Sequence, residues 1–210
     1  MGNARVLWLK SAFVAVVAMA LVGCGALGEA QAVAGSAGST AEPNLVYEAD
    51  WSSGIGGWAG GTGWKTLNGA LLNDGTGDFF GPLFADFDSG SLADLAVEAE
   101  IRVTRGSGTS FGIEVRVDGN GGGYAAGLYK ARTFVWYLDG GNPISEGEAF
   151  DPGGDWHTYR VEAKDNVVTL LVDGAVLAEV ADNKYLEGGQ VSLWSNDYQL
   201  EVRSFKVFAI

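Results

Sequence analysis

Between residues 93 and 104 the chain reads "ADLAVEAEIRVT". Leu95, Val97, Ala99, Ile101 and Val103 fall on one side, and Glu98, Glu100, Arg102 and Thr104 on the other. Residues 110–117 repeat the pattern, with Phe111, Ile113, Val115 and Val117 inward and Gly112, Glu114 and Arg116 outward. A period of two is that of a strand with one wet face, because successive Cβ atoms point to opposite sides of a sheet. A helix would scatter these apolar residues around its whole circumference.

Strand-like runs at 45–51, 70–73, 79–86, 124–130, 133–138, 156–164, 167–173, 175–180, 190–195 and 199–208 extend the pattern. Between them lie Asn68-Gly69, Asp118-Gly119, Asp139-Gly140 and Asp173-Gly174, pairs that accept the positive φ of tight turns. In the last run Leu200 and Val202 share a face, but Phe205 and Val207 are one step out of phase with them. A bulge near Arg203-Ser204 restores both pairs to the core. No amphipathic helix is apparent in this part of the chain. About a dozen short strands in one domain require two packed sheets or a closed barrel. The expectation is an all-β, two-sheet antiparallel sandwich over residues 44–210, a length sufficient for one real core.

The first residues are of another kind. Arg5 and Lys10 precede a short apolar run, "SAFVAVVAMALV", which ends at Gly23. That is the make-up of a secretory signal, and it is shorter than the roughly 20 residues of a membrane-spanning helix. Leu21-Val22-Gly23-Cys24 resembles the lipobox of bacterial lipoproteins, whose cysteine is lipidated and becomes the new N-terminus. The plainer alternative is a signal cut near Ala30 or Ala34, with Cys24 discarded. Residues 1–23 are thus expected to be a lipoprotein signal peptide, and 24–43, rich in Ala, Gly and Ser, a flexible tether. On either reading the protein is exported and its mature domain contains no cysteine, which excludes disulfides, zinc–thiolate sites and thiol catalysis. With 26 acidic against 13 basic residues, nucleic acid is not an expected partner. Membrane contact is expected through the lipid alone.

The segment from Asp155 to Phe208 carries "DWHTYRVEAK", Val172-Asp173-Gly174, Gly188-Gly189 ahead of "VSLW", and Phe205-Lys206-Val207. It resembles the closing half of concanavalin A-like jelly rolls of the laminin-G and lectin/glucanase type, and "FGIEVRVDGNGGGYAAGLY" resembles their middle strands. The phrases "DWHTYRVEAK" and "GGQVSLWS" are also similar to those of 3-keto-disaccharide hydrolase-like domains. The resemblance implies a jelly roll and, less specifically, carbohydrate as partner. Relatives with glucanase activity set three acids on one strand as Glu-x-Asp-x-x-Glu, a pattern absent here.

Several residues are candidates for chemistry. Glu98 and Glu100 lie one alternate step apart, about 6.5–7 Å, a spacing compatible with a pair of glycosidase carboxylates. With Glu114 they would supply acid and base to an enzyme. They read equally as a charged face with Arg102 and Arg116. His157, the only histidine, falls in phase with the core side, and no serine has the setting of a triad nucleophile. Phase places Trp194 with Gln190 and Ser192, away from Val191 and Leu193, and it sets Trp136 and Tyr137 on opposite faces. An exposed aromatic ring beside charged groups suits a sugar, whose C–H face stacks while its hydroxyls hydrogen-bond. The expected binding residues are therefore Glu114, Arg116, Tyr129, Trp136 and Trp194, on a concave sheet and without catalysis. The alternatives are a glycoside hydrolase or 3-keto-disaccharide hydrolase-like enzyme and an envelope protein-interaction module. No cofactor is expected. Structural calcium near Asp86, Asp88, Asp182 and Asn183 is a lesser possibility, since no local run supplies the six to eight oxygens that the ion needs.

Overall fold

A computed structural model describes residues 43–76, 81–106, 108–141 and 143–210. The expectations for the signal, for Cys24 and for the tether up to residue 42 lie outside the described residues. So does part of the run expected at 79–86, whose observed strand is Leu83–Asp88.

The described secondary structure is entirely β. One sheet has eight strands. From one edge it runs β13 (Ala175–Ala181), β12 (Val167–Val172), β11 (Trp156–Lys164), β6 (Leu95–Arg105), β15 (Gln199–Ala209), β4 (Ala70–Asp74) and β3 (Trp64–Leu67), and β1 (Asn44–Glu48) also pairs with β15. The second sheet has seven, in the order β10 (Pro143–Ala149), β9 (Arg132–Tyr137), β8 (Tyr124–Tyr129), β7 (Ser110–Val117), β14 (Gln190–Asn196), β5 (Leu83–Asp88) and β2 (Ala59–Gly60). Every pairing is antiparallel.

The alternating residues explain why two sheets form and why they stack. Leu95, Val97, Ala99 and Ile101 of β6 meet Phe111, Ile113 and Val115 of β7 in one buried cluster, with Val161, Leu170, Val191, Leu193, Val202, Phe205 and Val207 around them. Burying such side chains stabilises the sandwich by roughly 1.5–3 kcal/mol each. In β15 the register against β6 shifts between Val202 and Ser204. This bulge returns Phe205 and Val207 to the same interior as Leu200 and Val202, as their phase requires.

Three strands, β2, β3 and β10, were not apparent in the sequence. β10, "PISEGEA", is an edge strand with a proline and a glycine, and it pairs on one side only. Side-chain bonds fasten this edge to the other sheet: Ser145 Oγ donates to Glu179 O at 3.0 Å, and Thr133 Oγ1 to Leu177 O at 2.9 Å. A Cβ on Gly147 would fall 1.9 Å from Leu177 O, so the two edges touch only because that residue is glycine.

Candidate functional site

The outer face of the seven-stranded sheet is built from cross-strand rows. In one row Phe84, Ser192, Glu114, Ala125, Trp136 and Pro143 stand side by side on β5, β14, β7, β8, β9 and β10. In the next, Trp194, Gly112, Gly127, Phe134 and Glu146 do the same from β14 to β10. Neighbouring strands lie about 4.8 Å apart, so the small Ala125 leaves a hollow between Glu114 and Trp136. In the second row, Gly112 and Gly127 leave room for the large rings on either side.

A second hydrophobic cluster forms on this face. Its buried members are Ala125, Phe134 and Trp194, with Tyr129, Trp136 and Leu138 packed on them. The indoles of Trp136 and Trp194 are stacked with centroids 6.4 Å apart, Phe134 lies 4.3 Å from Trp136, and Tyr129 approaches Trp136 edge-on at 5.1 Å. Above the hollow is a cavity of about 210 Å³, lined by Phe84, Glu114, Ala125, Trp136, Tyr137 and Trp194 among others. Trp136 is half-buried and forms a wall of it.

Glu114 is 7% exposed, and the hydroxyl of Ser192 donates to its Oε2 at 2.5 Å. Burial pushes its carboxyl up from the ordinary 4.5 to about 7, against the opposing pull of that hydrogen bond. Trp194 Nε1 is buried and has no acceptor in the protein. At one end, Tyr137 donates its hydroxyl to Asp182 at 2.5 Å, and Tyr124 donates to the same carboxylate at 2.6 Å. The groove therefore combines an apolar wall, a buried carboxyl near its neutralisation point and an indole N–H without a partner.

Of the expected binding residues, Glu114, Trp136 and Trp194 come together at this cavity, and Tyr129 lies behind Trp136. Arg116 does not join them. Two residues of β7, Val115 and Arg116, stand opposite Val191 of β14, where the register shifts between Gln190 and Ser192. Arg116 takes a positive φ of 54° there. The bulge reverses the alternation, so Val117 reaches the groove in its place. The Arg116 side chain is fully buried. Its Nε donates to Ala93 O at 2.9 Å, its Nη1 to Asp165 O at 3.0 Å and Tyr185 O at 3.1 Å, and its Nη2 pairs with Asp94 at 3.4 Å. It ties loops together and is withdrawn from any ligand. Trp194 also differs from expectation. Phase correctly takes it out of the main core, but it is 7% exposed beneath Trp136 and Phe134, not open to solvent.

The three glutamates considered as acid and base are split between the sheets. Glu98 and Glu100 project from β6 on the outer face of the eight-stranded sheet, where they pair with Arg160 (3.3 Å) and Arg203 (2.7 Å). They cannot act together with Glu114 across the whole sandwich. His157 is held at both ring nitrogens, Nδ1 2.7 Å from Asp173 Oδ2 and Nε2 3.1 Å from Pro152 O, beside Phe150 and Tyr159. Among the described residues, no group of three or more acidic, histidine or cysteine side chains is placed to hold a metal ion. Sequence reasoning did not single out Ser192, Phe134 or Tyr137. The first two share a face with Trp194 and Trp136 by alternation, a signal that was available.

The fold is widely shared. A carbohydrate-binding module, CBM66 from Bacillus subtilis, superposes with a TM-score of 0.60 at 17% identity, covering 72% of this chain and 95% of that one. A B. subtilis protein of unknown function with a galectin-like fold gives 0.64 at 10% identity, covering 80% and 97%. LamA from Z. galactanivorans, in complex with laminaritriose and laminaritetraose, gives 0.56 at 12% identity, covering 79% and 98%. These likenesses establish a jelly-roll sandwich. No curated protein matches the chain significantly in sequence. The model of one protein family, described as the 3-keto-alpha-glucoside-1,2-lyase-like domain, matches residues 49–207. That span includes both sheets' central strands and all of the groove, and the chain belongs to this family.

Proposed function

We propose that the groove over Ala125 binds carbohydrate, in a protein that is exported and held at a membrane by lipid on Cys24. The observation that carries the binding reading is the buried, unpartnered indole N–H of Trp194 beside a cavity walled by Trp136. A buried donor without an acceptor costs about 1–3 kcal/mol, and a sugar hydroxyl would relieve it while the ring stacks on the apolar wall. The likeness to CBM66, a carbohydrate-binding module, and to LamA, solved in complex with laminaritriose and laminaritetraose, supports the same partner class. A screen of the full chain on a glycan array, followed by NMR titration, tests this. The Trp194 indole N–H resonance should move on addition of the best saccharide. The reading fails if no glycan binds, or if one binds and leaves Trp136 and Trp194 unperturbed.

The number of acids supports binding without hydrolysis. A glycosidase needs two carboxyl groups roughly 5–9.5 Å apart, and Glu114 is the only acid among the described lining residues. Glu146 lies three strands and one row away, roughly 15 Å by strand spacing. One observation favours a second reading. The 1,2-lyase chemistry in the family's description needs a single base, and Glu114 titrates near 7. In a 3-keto glucoside the ketone acidifies the C2–H bond. The carboxylate takes that proton, the electrons form C1=C2, and the C1–O bond breaks, its oxygen receiving back from Glu114 the proton taken from C2 and leaving as the alcohol. Appearance of the conjugated enone in the ultraviolet, lost in Glu114→Gln, supports this reading, and binding without turnover of a 3-keto glycoside removes it. The anchor rests on the lipobox-like Leu21-Val22-Gly23-Cys24. Labelled fatty acid should enter the wild type and not Cys24→Ser.

A further inference from the structure

A second groove lies beyond Trp136. It has a volume of about 370 Å³, and its lining includes Tyr129, Lys130, Arg132, Phe134, Trp136 and Glu146. Trp136 and Gly141 line both cavities, so one indole separates two halves of a single trough. The halves differ in charge. Among the described lining residues, the first has a buried acid as its only charge, and the second has two cations at its hairpin end and one acid, Glu146.

Acids outnumber bases 26 to 13 in this molecule, and Arg102, Arg116, Arg160, Lys184, Arg203 and Lys206 are all committed to carboxylates. Of the other described cations, Lys65, Arg105, Lys130, Arg132 and Lys164, Lys130 and Arg132 stand together in the lining of this groove. The ammonium of Lys130 lies 4.9 Å over the ring of Tyr129, and Arg132 Nη1 donates to Gly147 O at 3.2 Å. The turn between β8 and β9 holds them there, with Lys130 at φ 48° and Ala131 at φ 61°. A left-handed pair of non-glycine residues costs local energy, and it brings two positive charges to one rim. Arg132 is four residues from Trp136 on the same strand, about 13 Å, within reach of one oligosaccharide that crosses the indole. Glu146 stands on the opposite strand, β10, one row nearer to Trp136, where it can accept from hydroxyls.

We propose that the second groove binds a sugar unit bearing an anionic substituent, a carboxylate or a sulfate ester, held by Lys130 and Arg132 while the next unit occupies the groove over Ala125. The inference rests on the carbohydrate reading of that first groove. Arg132 offers a planar fork to an oxyanion and Lys130 a point charge, a division of labour suited to a tetrahedral or planar anion on a ring.

The test uses the full chain and three sets of tetrasaccharides matched in linkage: neutral, uronate-containing and O-sulfated. Calorimetry should show the best anionic member binding at least tenfold more tightly than its neutral counterpart, with the advantage shrinking as salt rises. Lys130→Gln/Arg132→Gln should abolish that advantage and leave the neutral affinity within twofold of wild type. Whether the uronate or the sulfate set carries the advantage identifies the anion. Equal affinity for neutral and anionic sets, or a preference that survives the double variant, overturns the inference and leaves the first groove's reading intact. Failure of all three sets to bind overturns both.

Discussion

The two outer faces of the sandwich come from the same alternation and differ in chemistry. On the eight-stranded sheet the outward residues neutralise one another: Glu98 with Arg160, Glu162 with Arg160, Glu100 with Arg203, Arg102 with Glu201 and Lys206 with Glu48. Trp156 there is approached by two guanidinium groups, those of Arg102 and Arg203, at 4.8 and 4.5 Å from its ring centroid. On the seven-stranded sheet the outward groups are aromatic rings, an acid without a cation and an indole N–H without an acceptor. One face pairs most of its charges internally, with Lys65 and Lys164 outside any salt bridge and Arg102 Nε without an acceptor, and the other holds its unpaired polar groups beside a cavity. A charged strand face is therefore weak grounds for a site, whereas an unsatisfied group beside a cavity is strong grounds.

The contrast breaks first if Arg116 belongs to the ligand face. It is the largest structural commitment next to the groove, and its loss should reduce stability without touching binding. Arg116→Met leaves the carbonyls of Ala93, Asp165 and Tyr185 and the carboxylate of Asp94 without their donor. Hydrogen bonds from a charged donor contribute roughly 1.5–3 kcal/mol each, so losing several of them costs on the order of 3–5 kcal/mol, equivalent to a fall in Tm of about 6–20 °C for a domain of this size. Differential scanning calorimetry measures it, and saccharide affinity per folded molecule should remain unchanged. A stable variant with lost affinity would return Arg116 to the site.

Glu114 gives the next largest effect, of opposite sign. Its folded pKa, near 7, lies above the ordinary 4.5, so folded protein holds the proton more tightly than unfolded chain across that window. Stability therefore falls as pH rises from about 4.5 to 7, by up to roughly 3 kcal/mol. Glu114→Gln keeps an acceptor for Ser192 and removes the charge. It should melt several degrees above wild type at pH 8 and close to it at pH 4. Equal melting points at pH 8 would mean that the carboxylate has a cation or solvent available.

What could be read in advance followed the range of each physical signal. Alternation identified β6, β7, β11 and β12, their inner faces and the bulge in β15, because all of that is local. It assigned Glu98, Glu100 and Glu114 to outer faces but could not say that two sheets stood between them, since phase carries no strand order. Arg116 was misplaced because no glycine or asparagine marks the left-handed bulge at that position. Trp194 left the main core as its phase required, yet its cover comes from Phe134 and Trp136, both three strands away on β9. β10 was missed for a related reason: an edge strand packed through one glycine shows no hydrophobic period.

Trp136 and Trp156 then compare the faces directly. Each is a half-buried tryptophan on a strand, but Trp136 walls both grooves and Trp156 lines neither. Trp136→Ala should weaken saccharide binding by at least tenfold, about 1.4 kcal/mol, while Trp156→Ala leaves it within twofold. Comparable losses from both would place a second binding surface on the charged sheet.

The smallest effect is also the clearest in sign. The hydrogen bonds from Arg203 hold the carboxyl of Glu100 below its ordinary range, opposite to the direction at Glu114. Its contribution is thus present above the unfolded value of 4.5 and is lost as pH falls through the lower folded value. The pair is partly exposed, and solvent screens it to about 0.2–1 kcal/mol, so Glu100→Gln should lower Tm at pH 8 by no more than about 4 °C. At pH 8 the two Glu→Gln variants should therefore flank wild type, Glu114→Gln above and Glu100→Gln below. As pH falls below the lowered folded value of Glu100, both carboxyls become protonated and the three melting points should converge. Two shifts in the same direction at pH 8 would mean that both faces treat a carboxylate alike.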